Sequence, residues 1–90
     1  MTIKTDHGSF EVRELTFADR RALHRLEIKA VDIKTGEMDT SQFYEVLNWV
    51  MNHAFKDPEA ELSKLDDNQI DEVLIAIYNG YKQGVTKKKN

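Results

Sequence analysis

The residues of this chain with chemistry to offer are three histidines, a loop with the outline of a calcium site, several carboxylate pairs and a cluster of arginines. His7, His24 and His53 are widely spaced, and only His24 has a second ligand type on its own helical face, Glu27 three residues on. One such pair is half a metal site at best, so the histidines read as surface residues. Segment 31–42 lies between two helical patterns. Setting Gly36 at the sixth position of a calcium loop puts Val31, Ile33, Thr35 and Gln42 at the first, third, fifth and twelfth. None is a carboxylate, which rules calcium out. The pairs Asp66-Asp67 and Asp71-Glu72 sit in polar sequence, whereas acid–base catalysis needs a carboxyl perturbed in a cleft. There is no Gly-rich phosphate loop and no nucleophile elbow. The chain has no cysteine, which removes disulfides, thiolate zinc sites and a cysteine nucleophile. The expectation is a protein that is not an enzyme and that holds no cofactor and no metal.

Binding chemistry is better represented. Arg20, Arg21, Arg25 and Lys29 fall on one helix face, and Lys87 to Lys89 form a basic run near the end. The whole chain nevertheless carries 16 acidic against 13 basic residues, a net charge of −3, and that balance disfavours nucleic acid. The charge is uneven: Arg13 to Lys29 holds five basic and three acidic residues, Asp57 to Glu72 one basic and seven acidic. Aromatic residues and methionine, favoured at partner contacts, concentrate between residues 43 and 55. The candidate partner-binding residues are Trp49 first, then Tyr44, Val46 and Met51, with Arg20, Arg21 and Arg25 of the basic face.

These residues must be positioned by the elements of a single small domain. Ninety residues bury only about 60–65% of their unfolded surface, enough for one core. No apolar run approaches the roughly 20 residues that span a bilayer. The start, Met1-Thr2-Ile3-Lys4, lacks the apolar stretch of a signal peptide, so the expected compartment is the cytoplasm.

Residues 1–15 alternate with period two around Asp6-His7-Gly8-Ser9, which predicts a β-hairpin with Gly8 at positive φ. A two-stranded hairpin is marginal alone and must lean on a helix. Thr16 is the N-cap of a helix over about 17–31, with Leu23, Leu26, Ala30 and Ile33 as its apolar stripe. Asp39, with Gln42 three residues on, caps a helix over about 40–55 whose stripe is Phe43, Leu47, Val50 and Ala54. Further apolar residues widen that stripe until the helix must be buried on more than one side, with Trp49 off the main face. Asp57-Pro58 ends it. A turn of helix around Leu62, Ser63 and Leu65 follows. Asp66 and Gln69 then open a last helix with Ile70, Val73 or Leu74, Ile77 and Tyr81 inward, Gly80 within it and Gly84 as its C-cap. The expected fold is mainly α with a small N-terminal β-hairpin: three principal helices around a central apolar one, in a domain of residues 1–84 with a disordered basic tail at 85–90.

The pattern resembles a family, the small tail assembly chaperones of long-tailed bacteriophages. The likeness lies in Leu15-Thr16-Phe17-Ala18-Asp19-Arg20-Arg21-Ala22-Leu23, in the apolar helix running into Phe55-Lys56-Asp57-Pro58-Glu59, and in the stretch from Leu62 to Leu74. It covers roughly residues 10–83, on motifs that are helix caps and apolar spacing. The resemblance implies a non-catalytic protein of the host cytoplasm that binds the tape measure protein. It implies that the long helices of that partner are kept soluble while tail tube subunits polymerise around it. It also implies possible self-association. The alternative is a small phage or bacterial regulatory protein that inhibits a host complex or binds nucleic acid through the basic face of the first helix.

Overall fold

A computed structural model describes residues 1–32 and 34–87, with side chains described to residue 83. Strands β1 (Thr2–Thr5) and β2 (Gly8–Glu11) are followed by helices α1 (Phe17–Ala30), α2 (Thr40–Ala54), α3 (Pro58–Leu62) and α4 (Asp67–Lys87). The architecture is mainly helical with a small antiparallel hairpin, and α2 is the helix against which both α1 and α4 pack.

The hairpin turns more tightly than its polar segment suggested. Asp6 and His7 alone form the turn, Thr5 pairs with Gly8, and Gly8 adopts φ 123°. The register sets Ile3 opposite Phe10. Met1 and Val12 extend the pairing by two backbone bonds of 2.8 Å. One face of the hairpin is thus Met1, Ile3, Phe10 and Val12, and it lies on the helices: Ile3 and Val12 are buried in the common core, and the Phe10 ring meets Phe55 edge-on at 5.9 Å. Gly80 lies where β1 packs against α4. A Cβ there would stand 2.5 Å from Ile3 Cδ1, so this glycine makes room for the strand in the middle of a helix.

Local capping starts each helix. Thr16 and Asp19 form a reciprocal box at α1 (3.1 and 2.9 Å), and Asp66 and Gln69 form another at α4 (2.8 and 3.0 Å). At α2 the expected box is only half made. Asp39 accepts from the backbone of Ser41 and Gln42, but its own N–H is bonded to the Ala30 carbonyl at 2.7 Å and has no need of the Gln42 side chain. That bond closes the α1–α2 connection, where Val31 bridges Met38 and Gly36 turns the chain at φ 75°. Pro58 begins α3 behind its cap Asp57, so this turn of helix sits earlier than Ser63 and Leu65 implied, with Leu62 buried. Helix α4 does not stop at Gly84 but continues to Lys87, since a glycine in a helix costs only about 1 kcal/mol and does not by itself end it. Residues 88–90, the rest of the expected tail, and Ile33, the last residue of the expected α1 stripe, lie outside the described residues.

The core holds Leu23 and Ala30 of α1, Val46, Leu47, Val50 and Ala54 of α2, and Val73, Leu74, Ile77 and Tyr81 of α4. Among the described residues no helix is long and apolar enough to cross a membrane.

Candidate partner-binding surface

The broad apolar girth of α2 is largely consumed by the fold. Val46 is wholly enclosed, with 0% of its surface exposed, and is no surface residue. At about 100° per residue it falls on the flank of the arc of Phe43, Leu47, Val50 and Ala54, about 40° beyond Val50, and the fold covers that flank as well. Trp49 is half-buried, and its ring stacks on His53 at 5.0 Å with the planes 6° apart. His53 is in turn held by the Glu14 carbonyl at 3.1 Å and lies 3.5 Å from the Asp19 carboxylate. The indole thus braces the junction of α2 with the start of α1. Met51 is half-buried against the core. Tyr44 alone of the α2 candidates is well exposed, at 54%. Tyr44 and Met51 lie on the flank of α2 opposite Trp49, so these residues do not form one site.

The exposed apolar surface lies elsewhere, on α1 and the connection after it. Ile28 is 51% exposed and Met38 57%, and Val31 joins them. The Val31–Met38 bridge places those two side chains on one side of the connection, and Ile28 is one helical turn before Val31. From Ile28 and Val31 a groove of about 320 Å³ runs inward to Phe43 of α2 and Tyr78 of α4. The Phe43 and Tyr78 rings meet edge-on at 6.1 Å and form its floor. Glu27 fixes its wall: it accepts the Tyr78 hydroxyl, and Lys82 Nζ stands 3.2 Å from it. Burial, and then the bond to Glu27, push the Tyr78 phenol far above its ordinary range, so it remains a donor at all physiological pH. Tyr81 is likewise pushed up, to about 12, chiefly by burial, and donates to the Arg13 carbonyl at 2.6 Å.

No protein-family model, no curated protein and no solved structure matches this chain.

Arg20, Arg21 and Arg25 are all exposed on α1, as a solvated basic face requires. Arg20 lies over the ring of Phe17, 6.0 Å from its centroid, and Phe17 is itself 73% exposed. Phe17, Ile28, Val31 and Met38 were not singled out by the apolar stripes. A signal for three of them exists: Phe17, Arg21, His24, Ile28 and Val31 recur at spacings of four and three, a second stripe on the side of α1 opposite Leu23, Leu26 and Ala30. Each histidine meets one carboxylate, His7 with Glu72, His24 with Glu27 and His53 with Asp19. Among the described residues no three His, Asp or Glu side chains converge as a metal site would.

Proposed function

We propose that this protein is a non-catalytic binding module, a tail assembly chaperone that holds apolar helical segments of a tape measure protein in solution in the host cytoplasm while tail tube subunits assemble. The observation that carries this reading is the apolar strip of Met38, Val31 and Ile28 leading into the Phe43–Tyr78 groove. An exposed strip of this kind, rimmed by polar groups, suits an amphipathic helix laid into a groove. The capped helices and closed core around it would present the strip without rearrangement.

Co-expression with a tape measure protein, the long helical client this reading requires, tests it. The client is expected in the soluble fraction and to co-purify with this protein. A client equally soluble without it, or soluble but not associated, would reject the proposal. The regulatory alternative has its own supporting observation, Phe17 exposed beneath Arg20 and beside Arg21, a pairing that suits stacking on a base. It requires binding to single-stranded nucleic acid that weakens steeply with salt.

A further inference from the structure

The outward stripe of α1 differs in charge from the rest of the molecule. Phe17 stands at one end and Ile28 with Val31 at the other, about 16 Å apart at the rise of an α-helix. Between and beside them are Arg20, Arg21, His24 and Arg25, all exposed. Of the two carboxylates of α1, Asp19 is turned away from this stripe and Glu27 stands at its edge, and both are occupied. Asp19 is bonded into the Thr16 cap and faces His53, while Glu27 takes the Tyr78 hydroxyl and pairs with Lys82. Glu27 comes within 3.8 Å of His24, but among the described residues neither Arg21 nor Arg25 has an ion-pair partner. The face is therefore cationic in its middle and apolar at both ends, on a protein whose net charge is −3.

We infer that this face of α1 docks an acidic amphipathic helix of a partner protein, one with apolar residues about three turns apart and Asp or Glu between them. The inference rests on the binding-module reading and specifies the chemistry of the helix that is bound. Charge complementarity selects the acidic sign, and the spacing of Phe17 from Ile28 and Val31 selects the apolar positions. A second copy of this chain is a poorer occupant. Its acidic stretch is broken between the five residues of α3 and the start of α4, and among the large hydrophobics of those two helices whose side chains are described only Ile75 is exposed. Nucleic acid would meet the arginines but leave Ile28 and Val31 without an apolar partner.

The test uses two designed, fluorescein-labelled helical peptides. Both carry leucines at the two ends of one face; one has glutamates between them, the other lysines. Fluorescence anisotropy with the full chain should show the glutamate peptide binding at least about tenfold more tightly, with the advantage shrinking in high salt. Arg21→Glu with Arg25→Glu should reverse the preference, and Phe17→Ala with Ile28→Ala should weaken the glutamate peptide about tenfold or more. Circular dichroism and the thermal midpoint establish that both variants fold. Equal affinity for the two peptides, or a preference unmoved by the charge reversal, would overturn the inference. So would competition by single-stranded DNA for the same arginines with no binding of the glutamate peptide. If the client is captured while the peptides are not distinguished, this inference fails and the chaperone reading stands. If the glutamate peptide binds as described while the client is not captured, the inference stands and the chaperone reading fails.

Discussion

Helices α1 and α2 divide the work of this domain in a way their compositions conceal. Helix α2 has the aromatic residues and apolar side chains around much of its circumference, yet nearly all of them are absorbed: Val46, Leu47, Val50 and Ala54 in the core, Trp49 by stacking on His53. Helix α1 is the more polar of the two, and it leaves Phe17 and Ile28 in solvent. The abundance of apolar residues in a helix reports how many sides the fold covers. A partner surface is marked instead by the few apolar residues that fall outside the covered arc.

Substitutions that tell stability from binding can break this division. The largest stability effect is expected for Leu47→Ala, about 2–5 kcal/mol from the cavity it leaves, read from the urea midpoint. Val46→Ala should likewise shift that midpoint and leave client capture intact in the folded fraction. Trp49→Ala should cost roughly 1–3 kcal/mol, below the full-core value because the ring is half-buried, again without loss of capture. Capture lost with Trp49→Ala and no change in midpoint would return the binding site to α2.

Gly80→Ala sharpens the contrast between helix propensity and packing. The added Cβ meets Ile3 Cδ1, so the variant should lose about 1–2 kcal/mol in spite of alanine's helix preference. In an Ile3→Val background the obstructing methyl is gone, and the same change should become neutral or stabilising by up to about 1 kcal/mol. Additive effects of the two substitutions would contradict the close approach of β1 to α4.

Acid stability is a smaller effect with a defined sign. Asp19 is held below the ordinary carboxylate range chiefly by the Thr16 backbone N–H, Asp39 by the Ser41 hydroxyl and Glu11 by the Thr2 hydroxyl. Folding favours their charged forms, so their contribution is complete above about pH 5 and lost as pH falls through the lowered folded values. Asp39→Asn keeps a good N-cap and removes the charge, so the thermal midpoint of that variant should fall less steeply in acid. An acid limb unchanged in Asp39→Asn would show that this cap does not contribute to it.

What was legible in the sequence was mostly local. The boxes Thr16–Asp19 and Asp66–Gln69 connect residues three apart, and so do the apolar stripes that set the helix faces. The half-made box at Asp39 was not legible, because the competing acceptor, the Ala30 carbonyl, arrives only when the α1–α2 connection closes. Nor was the role of Gly80, which depends on Ile3 reaching it across the fold. Val46 was misplaced because a flank position becomes core once α1 and α4 both pack on α2. The 17–21–24–28–31 stripe was present but overshadowed by the stronger one that includes Leu23 and Ala30.

The central claim is that the partner surface lies on α1 and the connection after it. Ile28→Ser with Met38→Ser tests it most directly, in co-expression with the long helical client and with Trp49→Ala in parallel. Both serine positions are exposed, so the thermal midpoint should stay close to that of the unsubstituted protein, each change costing within about 0.5 kcal/mol, while the client leaves the soluble fraction. A stable double variant that still holds the client in solution, beside a folded Trp49→Ala protein that does not, would contradict the account.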